Sequence, residues 1–337
     1  MWLYHNSTKV KKVFLTCHWC GLIGPATGFD VYPSPAGFWC PECEGFTYMD
    51  ESERTKHRFL LLLEDKGTAD AQTPIACTRK LNKRLSPLRY PGGKSKLIDY
   101  LYSRLVQEQL DTFVEVFAGG ASLGLSLLDA GIINRLILND KDPGVYALWE
   151  TILECPQELT ERLQSIVPTR RDLSNAKLLL AHSEAPTPEL AWAFLLANRL
   201  SFSGIVKGNP MGGKNGSQDA LTVRWNPKAL AKRIHRIYSM RDRIEIHNMD
   251  ACEFLEAEAY WYEHATIFVD PPYWKKGKAL YTHYYEEKDH AELAELLQNM
   301  YKSFPEPDII VTYDNHPRIR ELYPLARQEI IQRRYSI

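Results

Sequence analysis

The tetrad Asp270-Pro271-Pro272-Tyr273 carries the clearest chemistry in this sequence. It follows the apolar run Thr266–Val269, which predicts a buried strand that ends at the acid. The Asp270 carboxylate and the Pro271 carbonyl could each accept one hydrogen from an exocyclic amine, while the Tyr273 ring stacks on a flat base. An amine held by its hydrogens turns its lone pair toward an electrophile. The tetrad therefore indicates methylation of a nucleobase amino group, with Asp270, Pro271, Pro272 and Tyr273 as the catalytic residues.

Four cysteines form a second chemical pattern. Cys17 and Cys20 make one CxxC pair, Cys40 and Cys43 make another, and nineteen residues separate the two pairs. This spacing is typical of a tetrahedral zinc site, and so short a segment needs a metal to stabilise its fold. We therefore predict a zinc ribbon over residues 13–50, in which the four thiolates hold a structural Zn²⁺. The alternative is a redox-active CxxC, which needs only one pair and usually a βαβ context.

Residues at two further predicted strand ends suggest a ligand site. The strand Phe113–Phe117 leads into Gly119 and Gly120, where small residues let a ligand approach the backbone and a following helix offers free N–H groups. Asp140 ends the next strand about 20 residues later, where a carboxylate can hold the hydroxyls of a ribose. Plain packing of helix on strand is the alternative for the glycines, and a helix N-cap is the alternative for Asp140.

The order of predicted elements indicates an α/β fold. From Ser86 onward strands alternate with helices, which is typical of a doubly wound sheet. A long insertion breaks this alternation. Before Ser86, a segment of mixed composition with many charged residues surrounds the apolar run Phe59–Leu63. We expect a zinc ribbon at 13–50, a short helix and linker at 51–85, a sheet domain at 86–153 and 241–337, and a mostly helical inserted region at 154–240.

Length, composition and charge limit the class of protein. A chain of 337 residues suggests about two domains of ordinary size, and 45 % hydrophobic residues suffice for a packed core. No apolar run reaches the roughly 18 residues that a membrane helix needs, and residues 1–10 have no signal-peptide core. We therefore expect a soluble, cytoplasmic protein without a disulfide framework. Because the net charge is only -1, nucleic acid would have to bind at local basic patches.

In combination these motifs resemble the Dam-type family of S-adenosylmethionine-dependent DNA adenine-N6 methyltransferases. The tetrad alone is moderately specific, because enzymes that methylate amino groups on DNA, RNA and protein glutamine share related tetrads. The upstream loop Tyr90–Lys94 makes the resemblance much sharper. It extends from about residue 86 to the end and leaves out the cysteine pairs. The matching segments, in the family's order, are Tyr90–Lys94, Glu115–Gly120, Asn139-Asp140, Asn198-Arg199, Gly204, Asn248–Asp250 and Asp270–Tyr273.

The resemblance implies a Rossmann-like methyltransferase sheet with the reaction site at its edge. Asp140 would hold the cofactor ribose and Asp250 the cofactor's adenine amine, although Asp250 could equally be a plain helix N-cap. Asp270 and Tyr273 would hold the target adenine after it leaves the base stack. The residues that the resemblance assigns to S-adenosylmethionine are Tyr90, Lys94, Phe117, Gly119, Asp140, Asp250 and Asp270.

Contact with double-stranded DNA needs positive charge, and residues 224–243 provide it. This stretch holds seven basic residues against the single acid Asp242, which favours phosphate contact, although a solvated helix face is the usual alternative. The resemblance implies a target-recognition function for the inserted region, where Arg199 could equally be an ion-pair partner at the edge of a core. The residues expected to contact DNA are Asn198, Arg199, Lys214, Arg224, Lys232 and Arg236.

We therefore expect a zinc ribbon joined to a DNA adenine-N6 methyltransferase of a bacterial or phage-infected cell, such as a restriction-modification enzyme. Cytosine-N4 methylation is the alternative reaction, because a cytosine amine offers the same hydrogen-bond pattern. An inactive DNA-binding protein with this fold is the alternative from a different class. In the family a further strand follows a segment like Gln332–Ile337, so we also expect the sheet to lack its last strand and to leave an edge open.

Overall fold

A small module of short strands carries the cysteine pairs. The computed structural model describes residues 14–33, 36–49, 59–66, 81–90, 93–105, 110–182, 187–259, 262, 265–275, 284–303 and 307–333. Leu15, Phe29 and Phe38 pack with the cysteines into a local core, which confirms a separate N-terminal unit around the four-cysteine cluster. Its two antiparallel sheets comprise β1 (Phe14–Thr16) with β2 (Ile23–Pro25), and β3 (Asp30–Pro33) with β4 (Ala36–Trp39) and β5 (Phe46–Tyr48).

A seven-stranded parallel sheet forms the centre of the rest of the structure. Its strands are β6 (Phe59–Lys66), β7 (Thr112–Glu115), β8 (Arg135–Asn139), β9 (Ile244–His247), β10 (Ala265–Val269), β11 (Asp308–Asp314) and β12 (Arg327–Arg333). From one edge to the other they lie in the order β12-β6-β11-β10-β7-β8-β9. All six neighbouring pairs are parallel. The predicted α/β class with a Rossmann-like sheet is thereby confirmed.

Helices cover both faces of this sheet. Leu136 and Leu138 of β8 enter one hydrophobic core and Ile137 enters another, so that both faces are buried, as parallel sheets require. None of the helices in the described ranges combines the length and the hydrophobicity needed to cross a bilayer. The helices are α1 (Ile98–Tyr102), α2 (Ser122–Asp129), α3 (Pro143–Glu154), α4 (Gln157–Ser165), α5 (Arg170–His182), α6 (Pro188–Leu200), α7 (Gln218–Thr222), α8 (Pro227–Tyr238), α9 (Ala251–Ala257), α10 (Glu287–Ser303) and α11 (Pro317–Leu322).

The apolar run Phe59–Leu63 forms a strand and not the predicted helix. β6 pairs in parallel with β11 on one side and with β12 on the other. Alternate side chains of the run enter the two different hydrophobic cores of the sheet. A short apolar run cannot be assigned to helix or strand by periodicity alone, and here the two neighbouring strands decide. The predicted helix and linker at 51–85 is therefore wrong for residues 59–66, and its parts at 51–58 and 67–80 lie outside the described residues.

We expected the sheet to lack its last strand, but a strand from the N-terminal part of the chain is added near that edge. β12 forms one edge, and β6 lies between β12 and β11. The sheet therefore contains a strand from the N-terminal side of the chain, in a region that the family resemblance does not cover. The inserted region is mostly helical as predicted. Its helices α5, α6 and α7 share buried residues such as Leu173, Leu196 and Leu221, whereas α4 and α8 contribute to the core on one face of the sheet.

Candidate functional site

The carboxyl edge of the sheet opens into a pocket where the strand order reverses. After β7 the chain adds β8 and β9 on one side and then returns to add β10 and β11 on the other. Ligands of open α/β sheets bind at such a switch point. All the residues that the sequence assigned to the cofactor line this one pocket, namely Tyr90, Lys94, Phe117, Gly119, Asp140, Asp250 and Asp270.

A tight glycine turn lies along this pocket. Gly119 has a φ of +44°, in the left-handed region that favours glycine, and a Cβ atom there would lie 2.8 Å from the Tyr90 ring. The Gly119 N–H donates to Oδ2 of Asp140 at 2.8 Å, and its carbonyl accepts from Nε1 of Trp149 at 3.0 Å. The turn is therefore held on both sides, and Ser122 at the start of α2 faces the same pocket.

Asp140 and Asp250 line the pocket in different ways. Burial raises the pKa of Asp140 to about 7, and its Oδ1 accepts from the backbone N–H of Asp142 at 3.0 Å. Asp142 is the residue that caps α3, so the N-cap alternative does not apply to Asp140. Asp250 does cap α9, since it accepts from the Cys252 N–H at 2.9 Å, and it also pairs with Lys141 at 3.0 Å. Asp140 thus holds the Gly119 turn and the Asp142 backbone, and its carboxylate also faces the pocket.

The tetrad begins where β10 ends at the pocket. Oδ1 of Asp270 accepts from Nζ of Lys94 at 2.5 Å and from Oγ1 of Thr312 at 2.6 Å. Within the described ranges both side-chain hydrogen bonds to this carboxylate end on Oδ1, so Oδ2 is the oxygen left to hold an amine. Burial raises the pKa of Asp270, and the Lys94 ammonium opposes that shift. The Asp314 carboxylate accepts from the backbone N–H groups of the two residues after the tetrad, at 2.8 and 3.2 Å, which fixes the loop.

Lys94 and Tyr273 are buried together behind Asp270. Nζ of Lys94 lies 2.9 Å from Oε1 of Glu64 and 5.2 Å from the centre of the Tyr273 ring. The Tyr273 hydroxyl donates to Oε2 of Glu64 at 3.2 Å. The resemblance implies that Lys94 closes over the cofactor. Lys94 does line the pocket, but its ammonium contacts two carboxylates, so it supports the tetrad directly.

Glu115 is a pocket residue to which sequence reasoning gave no role of its own. It ends β7, lies 4 % exposed and accepts from the Gly124 N–H through Oε1 at 2.6 Å. Burial, with a smaller contribution from the nearby Asp270 carboxylate, raises the pKa of Glu115 to about 8. The available signal was an acid at the end of an apolar strand, the same pattern that drew attention to Asp140.

Asn198 and Arg199 lie inside the protein. Asn198 is 1 % exposed, its Oδ1 accepts from the Arg89 N–H at 2.9 Å, and its Nδ2 donates to the carbonyls of Arg89 and Gly204, both at 3.0 Å. Arg199 donates to the Arg224 carbonyl at 2.6 Å, and burial lowers its pKa to about 10. This placement corrects the expectation of direct DNA contact, because both side chains are turned to backbone groups of neighbouring loops. Asn198 joins the inserted region to the loop at residue 89, and Arg199 joins two segments within the inserted region.

The other basic residues assigned to DNA are more accessible. Lys214 and Lys232 are exposed, and Arg224 is half-buried. Arg236 is exposed but pairs with Asp129 at 2.6 Å. None of these residues lines the pocket at the carboxyl edge of the sheet, and none lines the basic cleft that is described next.

That cleft, which we call the basic cleft, was missed by the sequence analysis. Its cationic side chains are Lys83, Arg84, Arg89 and Arg233. Tyr90 lines both this cleft and the pocket at the carboxyl edge of the sheet, which we call the cofactor pocket after the residues assigned to it. Arg233 is fixed by donating to the Ser86 carbonyl at 3.0 Å. Burial lowers the pKa of Arg233, as does the nearby Arg84. Such mutual repulsion makes the cleft a favourable site for an anion. Lys83, Arg84 and Arg89 lie within one short segment, and only Arg233 comes from a distant part of the chain, so the sequence did not show that they share a cleft.

The four cysteines of the N-terminal module form a metal-binding geometry. Their sulfur atoms all lie within 4.8 Å of one another, with Cys17 and Cys43 3.6 Å apart and Cys20 and Cys40 also 3.6 Å apart. A tetrahedron with Zn–S bonds of about 2.3 Å has edges of about 3.8 Å, close to these separations. Each pair forms the same turn, in which the N–H four residues after the first cysteine donates to that cysteine's carbonyl. The donor set therefore fits a closed Zn²⁺ site.

Most of the chain matches a known protein family. Residues 90–337, more than half of the chain, match the family model described as D12 class N6 adenine-specific DNA methyltransferase. A search of curated proteins gives no match. The matched range includes the tetrad, the glycine turn and the inserted region, whereas the cysteine module and β6 precede it.

Proposed function

Because this chain belongs to the D12 class N6 adenine-specific DNA methyltransferases, we propose that it transfers the methyl group of S-adenosylmethionine to the N6 amine of an adenine swung out of the duplex. One observation carries this proposal: Asp270, the Gly119 turn and Asp140 meet in a single pocket at the switch point of the sheet. A methyl donor bound along the turn and an amine held at Asp270 would share that pocket. Transfer between them would then need no large movement of the protein.

The pocket residues fit a bound S-adenosylmethionine, which supplies an electrophilic methyl group on its sulfonium. Asp140 would hold the ribose hydroxyls, and their hydrogen bonds would stabilise the ionised form of this buried carboxylate. Asp250 would accept from the adenine amine of the cofactor through Oδ2, the oxygen that also pairs with the exposed Lys141. Phe117 and Gly119 would line the methionine end, where the glycine leaves room at the backbone, and Tyr90 would cover it.

The tetrad would orient the target amine. The Oδ2 atom of Asp270 would accept one N6 hydrogen and the Pro271 carbonyl the other, while Lys94 and Thr312 hold Oδ1 in place. Alignment of this kind supplies much of the rate enhancement in a transfer between two bound reactants. As the methyl group arrives, N6 gains positive charge, and the carboxylate stabilises that charge. Swinging the base out costs roughly a few kcal/mol, which stacking on the Tyr273 ring would help to offset.

DNA would lie across the basic cleft. The cleft adjoins the cofactor pocket at Tyr90, so a phosphate held by Arg89 and Arg233 would be near a base entering that pocket. Phosphate contacts of this kind fix the position of the duplex and carry no sequence information. We assign base reading to the inserted region, where Lys214 and Lys232 are exposed.

The cysteine module would bind one structural Zn²⁺. Four thiolates fill a tetrahedral site completely and leave no position for a catalytic water. The expected contribution of the metal is therefore the folding of the module itself.

The experiment that tests this function is methylation by the purified, zinc-loaded full chain. The protein is incubated with S-adenosylmethionine and duplex DNA of mixed sequence, and the DNA is digested to nucleosides. We expect N6-methyladenine, and we expect Asp270→Ala to abolish it while S-adenosylmethionine still binds by calorimetry. That variant keeps a partner for Lys94, because Glu64 remains at 2.9 Å.

Two outcomes would contradict the proposal. N4-methylcytosine as the sole product would establish the cytosine reaction in its place. Failure of the wild-type chain to bind S-adenosylmethionine would favour an inactive DNA-binding protein. Sequencing of methylated DNA from cells that express the chain would then define the recognition sequence.

A further inference from the structure

Strand β6 lies outside the matched family range, yet it reaches the reaction site. It spans Phe59–Lys66, whereas the family match begins at residue 90. In register, Glu64 pairs with Asp314 of β11 and with Ile331 of β12. Since all these strands are parallel, the end of β6 that bears Glu64 lies at the same edge of the sheet as the tetrad. A side chain from the N-terminal part of the chain is thereby brought to the pocket wall.

Glu64 contacts two residues of the site. Its side chain is 1 % exposed, and its Oε1 lies 2.9 Å from Nζ of Lys94. Its Oε2 accepts from the Tyr273 hydroxyl at 3.2 Å. Lys94 in turn reaches Oδ1 of Asp270 at 2.5 Å. One buried carboxylate therefore holds both the lysine that orients Asp270 and the aromatic ring of the tetrad.

A buried carboxylate with an ion-pair partner costs more free energy in desolvation than packing alone would justify. An apolar residue at position 64 would continue the run Phe59–Leu63 without that desolvation cost, but it would remove the acceptor of the Tyr273 hydroxyl and a carboxylate partner of Lys94. The acid therefore points to a role at the site and not to a role in the strand.

We propose that Glu64 is a positioning residue for methyl transfer, acting through Lys94 and Tyr273, and that β6 is an integral part of the reaction site. This inference rests on the proposed function of the pocket. Glu64 takes up part of the Lys94 charge, which leaves Asp270 a stronger acceptor for the target amine. It also accepts from the Tyr273 hydroxyl and so fixes the position of that ring behind Asp270.

The inference is tested by single-turnover transfer of a labelled methyl group to duplex DNA, with Glu64→Ala and Glu64→Gln compared with the wild type. We expect Glu64→Ala to lower the transfer rate about 100-fold, the loss typical of a reacting group displaced by about 1 Å. Binding of S-adenosylmethionine and of DNA should change less than about threefold, because Glu64 contacts neither in this arrangement. The matched control is Asp65→Asn on the same strand, whose carboxylate accepts from Nδ2 of Asn315 at 3.3 Å; its transfer rate should stay within about twofold.

The pH profile of transfer separates positioning from simple support of the fold. Burial raises the pKa of Asp270 most, Lys94 lowers it and Glu64 raises it again; the buried carboxyl group of Glu115, whose own pKa is raised by burial, also faces this cluster. Removing the Glu64 charge in Glu64→Gln should therefore lower the pKa of Asp270 and move the acid limb of the rate profile to lower pH. A residue that only supported the fold would leave that limb in place.

The outcomes are distinct. Folded Glu64→Ala and Glu64→Gln proteins that transfer within about twofold of the wild type, with an unmoved acid limb, would overturn the inference. A Glu64→Ala protein that does not fold leaves the decision to Glu64→Gln, which keeps the size of the side chain. Because the label reports transfer to any base, a wild-type product other than N6-methyladenine would refute the proposed function alone. No transfer by the wild type to any base would refute both.

Discussion

The charge state of Glu115 gives a quantitative test of the buried site. Glu115 lies at the end of β7 with 4 % of its surface exposed, and burial raises its pKa from 4.5 to about 8. The folded protein thus keeps Glu115 protonated at pH values where the unfolded chain has released that proton. Replacing Glu115 with Gln removes the titration and keeps an oxygen that can accept from the Gly124 N–H, now bonded at 2.6 Å.

The direction and the size of the pH effect on stability follow from the pKa of Glu115 in the unfolded chain and its pKa in the folded protein. The stabilisation linked to the raised pKa of Glu115 is complete below pH 4.5 and is lost as the pH rises to about 8. Between these limits the free energy of unfolding falls by about 1.4 kcal/mol for each pH unit. From pH 6 to pH 8 the wild type should therefore lose about 2 kcal/mol relative to Glu115→Gln. The variant should gain relative stability as the solution becomes more alkaline.

The assay is urea unfolding of both proteins, zinc-loaded and free of cofactor, followed by far-ultraviolet circular dichroism at pH 6, 7 and 8. Taking the difference between the two proteins cancels the titrations that they share, including those of the zinc ligands. Burying an amide in place of a carboxyl can shift the free energy of unfolding of the variant by a constant amount. That shift does not affect the test, because only the change of the difference with pH is compared. A difference that stays within about 0.5 kcal/mol across this range would show that Glu115 is already ionised in the folded protein, and the reasoning from burial would fail.

Two further predictions concern the metal and the DNA. Cys17→Ser should release one zinc ion per chain, because three thiolates leave the tetrahedral site incomplete; unchanged zinc content by plasma mass spectrometry would rule the site out. The double variant Arg89→Gln/Arg233→Gln should weaken DNA binding for all sequences and reduce the slope of log K against log salt by about 2. Arg327→Gln, with a 76 % exposed side chain at the start of β12, is the control, and an equal loss there would exclude the basic cleft.

Several features of this protein were visible in short segments of sequence. The two CxxC pairs indicated a four-thiolate site because tight turns place ligands at fixed separations whatever surrounds them. The apolar run before Asp270 indicated a strand that ends at an acid, and the topology of open sheets placed that acid at a ligand site. The residues that the sequence assigned to the cofactor line one pocket for the same reason, since the carboxyl ends of parallel strands lie along one edge.

Contacts between distant segments were decided only by the tertiary structure. The run Phe59–Leu63 was equally compatible with helix and strand until β11 and β12 supplied partners on both sides. The position of Glu64 beside Lys94 depends on that pairing, so its role had no local signal. Asn198 was assigned to DNA although its amide is bonded to the backbone of the loop at residue 89. Local sequence determines which groups are present and how neighbours are spaced, whereas burial and charge state depend on which segments the chain brings together.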